Sequence, residues 1–191
     1  MVSPVVMNHE DISPENLCRG IFSLNTRRFG TVAEILIKKI LKIDKSLDQF
    51  HDLYDKGNDK RIEVKFSRAL AINDVAISSE NIIESILLAS DFNRMFRSDQ
   101  TEVCFFDCNI QQVKKKEFDL LYYGIFFSDL VEIFEIESKD IGSNIFYSDK
   151  QHKGNKGEGQ FHISNKTIAL HRENYFFRSF TYADLLRMLK T

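Results

Sequence analysis

The sequence has no tryptophan, only two prolines and only eight glycines in 191 residues. With 43% apolar and 28% charged residues, this composition is typical of a folded globular chain and excludes a disordered or collagen-like one. A chain of this length can bury a substantial core, and no linker, repeat or low-complexity stretch divides it. We therefore expect residues 1–191 to form a single domain.

Cysteines and long apolar runs are scarce as well. The three cysteines are an odd number and form no CxxC pair, so neither a disulfide framework nor a cysteine zinc site is expected. The most apolar window, Phe118 to Ile136, is interrupted by four acidic residues and does not suit a bilayer span. The first residues lack the features of a signal peptide. We expect an intracellular protein without a membrane segment.

Apolar periodicity predicts a central mixed β-sheet flanked by helices, of the α/β or α+β class. The predicted helices are Pro14 to Phe22, Thr31 to Ile43, Ser79 to Phe96 and Tyr182 to Leu189. The predicted strands are a hairpin over Phe50 to Phe66, then Glu102 to Val113, Phe118 to Phe127, Leu130 to Glu137, Gln160 to Ile163 and Thr167 to His171.

The stretch HDLYDKGNDKRIEVKFSRA, residues 51–69, contains the most informative pattern. Gly57-Asn58 suits a tight turn, and this turn places Leu53 opposite Ile62 and Asp52 opposite Glu63. Side chains alternate between the two faces of a strand, so Asp52, Glu63 and Lys65 share one face. The apolar residues lie on the other face, against the core.

Directly opposed side chains on paired strands lie about 4.5–5.5 Å apart at their β-carbons. Two carboxylates at that distance repel each other unless a cation lies between them, and oxygen ligands suit Mg²⁺. A neighbouring lysine can orient the attacking water and stabilise phosphate charge. This pattern indicates metal-assisted hydrolysis of a phosphodiester. The alternative is a solvated salt-bridge cluster; Asp55 and Asp59, near the turn, are weaker candidates for the metal-binding aspartate.

These residues resemble the PD-(D/E)xK nuclease superfamily: Asp52, ten intervening residues, then Glu63-Val64-Lys65. His51 stands where the motif has proline. The resemblance implies a restriction-endonuclease-like core in which Asp52, Glu63 and the Val64 carbonyl bind Mg²⁺ and Lys65 positions the water. It also implies a metal-facing glutamate on the preceding helix, Glu34. Glu34 has an alternative role, because Thr31 and Glu34 match a helix capping box.

The resemblance further implies a type II restriction endonuclease of a prokaryotic, cytoplasmic restriction-modification system. Such an enzyme cuts a short specific sequence of double-stranded DNA as a homodimer, without a nucleotide cofactor. The C-terminal helix, with Leu185, Leu186 and Leu189, is a candidate dimer surface. Two alternatives remain: a repair, recombination or mobile-element nuclease of the same superfamily, and a non-catalytic DNA-binding or interaction protein.

Any DNA-binding surface must be local, because the net charge is −2 and the isoelectric point is about 6.2. The segment from Lys150 to Gln160 combines lysines, glycines and amides that can bind phosphates and base edges. The candidate DNA contacts are Lys150, Gln151, His152, Lys153, Asn155, Lys156 and Gln160. The alternative is a solvated loop. Lys114 to Lys116 can form a second phosphate-facing edge or a charged turn, and we favour the turn.

Overall fold

The structure is a computed structural model that describes residues 12–47, 50–72, 75–150 and 156–190. The helices are α1 (Pro14–Phe22), α2 (Thr26–Leu41), α3 (Ile82–Leu88), α4 (Asp91–Arg94), α5 (Ile168–Asn174) and α6 (Tyr182–Lys190). The strands are β1 (Asp44–Lys45), β2 (Leu53–Asp55), β3 (Lys60–Arg68), β4 (Asp107–Val113), β5 (Leu120–Phe126), β6 (Leu130–Glu137), β7 (Ser148–Lys150), β8 (Lys156–Ser164) and β9 (Phe176–Thr181).

The strands form two sheets. A six-stranded sheet has the order β1-β2-β3-β5-β6-β9, and a three-stranded sheet has the order β4-β8-β7. Strands β3 and β5 are parallel, whereas the other neighbours in the large sheet are antiparallel. The predicted mixed sheet with helices is therefore confirmed, in its α+β form.

Separate apolar clusters cover the two faces of the large sheet. On β5, Leu121, Tyr123 and Ile125 pack with residues of β4 and β8. Tyr122 and Phe126 point to the opposite face and pack with α1, α2 and α6. A strand that is buried on both faces has a nearly continuous apolar sequence. This is why the most apolar window of the chain forms the central pair β5 and β6.

Helix α2 begins earlier than the sequence predicts, and this changes the role of Glu34. Asn25 is the N-cap, and its side chain accepts a hydrogen bond from the Arg28 N–H at 3.1 Å. Thr31 lies within the helix, where its hydroxyl donates to the Arg27 carbonyl at 3.2 Å. The capping-box interpretation of Thr31 and Glu34 is therefore wrong. The buried stripe of α2 is Phe29, Ala33, Leu36 and Ile37.

Several element boundaries also differ from the predictions. The predicted helix from Ser79 to Phe96 is two short helices, because Ser90 is extended and is the N-cap of α4. The predicted strand from Thr167 to His171 lies in α5, where Ile168 and His171 are buried at helical rather than alternating spacing. Strand β4 begins only at Asp107, and β9 was not predicted as a strand.

The C-terminal helix α6 packs into the molecule. Thr181 and Asp184 bind each other's backbone N–H groups and so fix the start of the helix. Leu185 is only 2% exposed, so it belongs to the core and the prediction that it contributes to a dimer surface is wrong. Leu189 stays exposed. Within the described ranges, every helix is too short or too polar to cross a bilayer.

Candidate active site

The hairpin of β2 and β3 has the register that the sequence predicts, with Leu53 opposite Ile62. Asp55 does not belong to the candidate site. Its carboxylate accepts hydrogen bonds from the Gly57 and Asn58 N–H groups, at 2.9 and 3.3 Å, and so closes the turn. Similarly, the Asp59 carboxylate accepts from the Tyr54 hydroxyl. Both acidic rivals of Asp52 therefore stabilise the turn.

Asp52 lies just before β2 and continues the pairing, since its N–H donates to the Ile62 carbonyl at 3.1 Å. Its carboxylate Oδ2 accepts a hydrogen bond from the Val64 N–H at 2.9 Å. The Lys65 ammonium lies 3.9 Å from the same Oδ2 and also donates to the Glu63 carboxylate. The structure thus brings the Asp52 and Glu63 carboxylates together around one positive charge.

Glu63 lies in an environment that disfavours its charged form. Its side chain is only 12% exposed. Burial raises the pKa of the Glu63 carboxyl to about 7; Lys65 opposes this rise, and the Asp52 and Glu117 carboxylates add to it. A carboxylate in these surroundings gains stability from any further positive charge near it. The electrostatics of Glu63 therefore favour binding of a cation.

Glu34 lies on α2, which packs against β3. Burial raises the pKa of its carboxyl, and the Asp52 carboxylate adds to this rise, whereas Lys45 and Lys65 lower it. Glu34 is thus close enough to Asp52 and Lys65 to interact with them electrostatically. It is not among the described residues that line the cleft itself.

Asp52, Glu63 and Lys65 line a polar cleft of about 200 Å³. One wall is the start of the hairpin, and the facing wall comes from the end of β4, the turn after it and the start of β8. The lining residues are Phe50, His51, Asp52, Glu63, Lys65, Gln112, Lys114, Glu117 and Glu158. His51 stands at the proline position of the motif. It is 9% exposed, and its Nε2 is 2.9 Å from the Ser46 hydroxyl.

Four residues of the facing wall were not predicted as part of the site: Gln112, Lys114, Glu117 and Glu158. The Lys114 ammonium lies 3.7 Å from the Glu117 carboxylate and 3.6 Å from the Glu158 carboxylate. The segment after β4 is the charged turn that the sequence favours, since the Glu117 N–H donates to the Lys114 carbonyl at 2.8 Å. The sequence leaves a phosphate-facing edge at Lys114 to Lys116 open as the alternative, but it does not indicate that this turn borders the hairpin.

Gln112 has an uncommon backbone conformation. Its φ is 57°, in the left-handed region that residues other than glycine rarely adopt. It lies at an irregularity where the pairing of β4 with β8 shifts between Ile110 and Val113. Such strained residues concentrate at functional sites. This bulge places Gln112 at the rim of the cleft.

The carboxylates of the cleft suit Mg²⁺ better than a metal ion whose ligands all come from protein side chains. Among the residues that the structure describes, no group of three or more His, Cys, Asp or Glu side chains is arranged to hold a metal ion. Mg²⁺, however, is usually bound by one or two carboxylates, with waters and substrate phosphates as its other ligands. Asp52 and Glu63 provide such a pair of hard oxygen donors, and Val64 lies between Glu63 and Lys65 on β3.

A second cavity, of about 560 Å³, adjoins the cleft and shares Lys114, Glu117 and Glu158 with it. Lys115, Lys116, Tyr147 and Gly157 complete its lining. The Lys115 ammonium donates to the Ile141 carbonyl at 2.8 Å and lies 4.7 Å from the centre of the Tyr147 ring. The cleft therefore opens into a groove that is lined by lysines.

The predicted DNA-contacting segment is only partly described. Lys150 ends β7 and pairs with Lys156 at the start of β8, so these residues flank a hairpin. Gln160 lies inside β8, and its side-chain oxygen accepts a hydrogen bond from the Asn109 amide at 3.2 Å. Strand β8 begins at Lys156, four residues before the predicted strand start at Gln160, so the candidate DNA-contacting segment is part strand. Four predicted contacts lie outside the described residues: Gln151, His152, Lys153 and Asn155.

Comparisons of the chain with protein-family models, with curated proteins and with solved structures find no match.

Proposed function

We propose that this protein is a Mg²⁺-dependent endonuclease that hydrolyses phosphodiester bonds of double-stranded DNA. One observation carries the proposal: the Lys65 ammonium lies near the carboxylates of both Asp52 and Glu63, and all three side chains line one polar cleft. Two partly buried carboxylates and one lysine are the groups needed for metal-assisted phosphodiester hydrolysis. The same groups form the motif that resembles PD-(D/E)xK nucleases.

In this proposal Asp52, Glu63 and the Val64 carbonyl hold Mg²⁺, with Glu34 as an additional carboxylate nearby. Bound Mg²⁺ supplies positive charge to the phosphate and makes a water molecule easier to deprotonate. The Val64 N–H keeps the Asp52 carboxylate in a fixed orientation. Lys65 positions the attacking water and stabilises the negative charge that develops on the phosphate. Water adds to phosphorus and the bond to the 3′ oxygen breaks, which leaves 5′-phosphate and 3′-hydroxyl ends.

The charge of the cleft makes a cation necessary for DNA to enter. Four carboxylates line it, from Asp52, Glu63, Glu117 and Glu158, against only the ammonium groups of Lys65 and Lys114. A phosphate therefore experiences net repulsion until a divalent ion is bound. We expect DNA binding at this site to depend on a divalent ion, in addition to cleavage.

The lysine-lined groove provides a path for the DNA backbone outside the cleft. Lys116 is an exposed residue of its lining, and Lys150, at the end of β7, pairs with Lys156, at the start of β8. Lysines along such a path bind phosphates without reading sequence, because they act as point charges. Base contacts would come from the amide residues Gln151 and Asn155, which lie outside the described residues.

The proposal is tested by incubating the purified protein with a mixed-sequence plasmid, in Mg²⁺ and in EDTA. We expect cleavage in Mg²⁺ and none in EDTA. Discrete bands would favour an intracellular type II restriction enzyme of a restriction-modification system. A smear, or cleavage at DNA junctions, would favour a repair, recombination or mobile-element nuclease. Intact DNA under both conditions would contradict the nuclease assignment and favour a binding or interaction protein.

A further inference from the structure

Strand β4 carries a bulge beside the cleft, and this bulge gathers amide side chains. The pairing of β4 with β8 shifts between Ile110 and Val113. Within this irregularity two residues of β4, Gln111 and Gln112, lie opposite one residue of β8, Gln160. Bulges next to active sites can re-aim a side chain. Three glutamines therefore lie together at the bulge, and Gln112 also lines the cleft.

The amide of Gln160 has a defined orientation. The Asn109 Nδ2 donates a hydrogen bond to the Gln160 Oε1 at 3.2 Å. This bond fixes which end of the Gln160 amide accepts and which end donates. An amide oxygen can accept a second hydrogen bond, and the amide nitrogen carries two N–H donors. Gln160 can therefore still accept from a ligand and donate to it at the same time.

Gln112 adopts a backbone conformation that does not suit glutamine. Its φ of 57° lies in the region that glycine adopts most easily. The side chain is exposed and makes no hydrogen bond with any residue that the structure describes. It therefore does not stabilise the fold against the strain of its own backbone. A strained residue of this kind at the rim of a cleft indicates that its side chain serves a ligand.

The side of β4 and β8 that carries the amides faces outwards. Ile110 and Phe161 are at most 1% exposed and belong to the core. Side chains alternate between the two faces of a strand, so Asn109 and Gln160 project away from that core. A ribbon of two β-strands fits the major groove of DNA, which is about 12 Å wide. This face of the protein can therefore approach the edges of the bases.

We propose that Gln112 and Gln160 recognise adenine in the major groove of DNA, next to the phosphate that is cleaved. A glutamine amide donates to adenine N7 and accepts from the N6 amino group, a pattern that only adenine presents in this groove. The amides are uncharged and suit base edges, whereas the lysines of the neighbouring groove suit phosphates. The inference rests on the proposed function, because it names the base that the same site reads.

The position of the amides sets how far the adenine lies from the cleaved bond. Glu158 and Gln112 both line the cleft. Gln160 is two residues beyond Glu158 on β8, a distance of about 7 Å along an antiparallel strand. Successive phosphates of one DNA strand are about 3.4 Å apart along the helix axis, so this distance spans roughly two base steps. We therefore expect the adenine within about two base pairs of the cut.

Mapping the ends of digested genomic DNA tests the inference. We expect wild type to require an A·T pair within about two base pairs of each cut. Gln112→Gly, which removes the side chain without straining the backbone, and Gln160→Ala should each relax this preference by about 5- to 150-fold at one position. The control is Asn93→Ala, which removes an exposed amide of α4 outside the cleft and should keep the wild-type preference.

The role of Asn109 has a separate readout. Because Asn109 orients the Gln160 amide, Asn109→Ala should relax the same position as Gln160→Ala. A purely structural role would instead lower the unfolding midpoint and leave the base preference as in wild type. Urea unfolding and end mapping of this variant distinguish the two roles.

A base analogue separates contact with the base from an effect of DNA shape. A synthetic duplex carries 7-deazaadenine in place of adenine at the position that a variant relaxes. The analogue keeps the A·T pair but lacks the N7 acceptor, so wild type should cut it at least about fivefold more slowly. The variant that relaxes this position should cut the two duplexes at equal rates.

Two results would overturn the inference and leave the nuclease proposal intact. One is a set of mapped ends without any preference for A·T pairs near the cut. The other is a wild-type base preference in both Gln112→Gly and Gln160→Ala. Genomic DNA that stays intact in Mg²⁺ would instead contradict the proposed function itself, and the inference with it.

Discussion

In the proposed function, the chemistry of the cleft depends most directly on the ammonium of Lys65. It contacts the Glu63 carboxylate and lies close to that of Asp52, and its side chain is largely shielded from solvent. A fixed ammonium at this position can stabilise charge on a phosphate during the reaction without having to reorganise. Its contribution should therefore appear in the rate of cleavage much more than in folding.

We predict that Lys65→Ala lowers the rate of DNA cleavage by about 100-fold or more. Folding should be largely preserved, because Glu63 can take up a proton when the lysine is lost. Initial rates on plasmid DNA in Mg²⁺ measure the effect, and circular dichroism monitors the fold. Lys60→Ala, at an exposed position on the same strand, is the control and should cut normally. Normal cutting by Lys65→Ala would remove this residue from the mechanism.

The backbone of Gln112 is strained in the folded chain. Substitutions at this position should show how its backbone conformation, apart from its side chain, affects the free energy of unfolding. Glycine adopts positive φ easily, whereas a β-branched residue does not. We predict that Gln112→Gly leaves the free energy of unfolding unchanged or raises it by up to about 1 kcal/mol, and that Gln112→Val lowers it by roughly 1–3 kcal/mol. Urea unfolding measures both. Equal stability of the two variants would contradict the left-handed assignment.

His171 should make the stability of the protein depend on pH. It is fully buried, and its Nδ1 is 2.9 Å from the Tyr123 hydroxyl. Burial lowers the pKa of the imidazole from 6.5 to about 4, so the unfolded chain binds more protons between these values. The stability that the protein gains from keeping His171 neutral is fully present above pH 6.5. It is lost as the pH falls towards 4.

We predict that wild type loses up to roughly 3 kcal/mol of unfolding free energy over this interval relative to His171→Phe, which cannot titrate. Urea unfolding of both proteins at a series of pH values provides the comparison. Parallel pH profiles of the two proteins would show that His171 is not the titrating group.

At the scale of secondary structure, the hairpin could be predicted because its determinants are local. Gly57-Asn58 and the alternation from Ile62 to Phe66 set the turn and the register, and the structure has the same register. Glu34 was harder to interpret, because Thr31 and Asn25 are both acceptable N-caps. The buried stripe that begins at Phe29 favours Asn25 as the N-cap of α2.

The facing wall of the cleft could not be read from the sequence. Gln112, Lys114 and Glu158 lie far from the hairpin in the chain. They reach it because β4 contacts β3 and pairs with β8. Such long-range pairings depend on how the whole core packs, so no local pattern indicates them. Strand β9 was missed for a related reason, since most of its residues are exposed at the edge of the sheet.

The turn after β4 and the β7–β8 hairpin should act together on DNA through their charge. We predict that Lys116→Ala with Lys156→Ala weakens DNA binding and lowers the slope of log affinity against log salt by about 1.8, because two fewer counterions are released. Fluorescence anisotropy in Ca²⁺ measures this slope. Lys166→Ala, two residues beyond the end of β8, removes one positive charge outside this surface and is the control. A slope equal to that of wild type would exclude these elements from the interface.

At the scale of the molecule, two apolar clusters cover the faces of one sheet, and the cleft lies beside β3 at the edge of these clusters. The net charge of −2 makes general attraction of the protein to DNA weak. In the proposed function, selectivity for DNA therefore comes from the cleft, its divalent ion and the lysine-lined groove. The central claim is that Asp52 and Glu63 share that ion.

Binding of Mn²⁺, which has the same preference for oxygen ligands as Mg²⁺, tests this claim most directly. Electron paramagnetic resonance counts free Mn²⁺ during titration of the protein without DNA. We predict a site whose affinity falls by at least about tenfold in Asp52→Asn and in Glu63→Gln. The Mn²⁺ affinity should be unchanged in Asp55→Asn, because the Asp55 carboxylate belongs to the turn. Equal Mn²⁺ affinity in wild type, Asp52→Asn and Glu63→Gln would contradict the account.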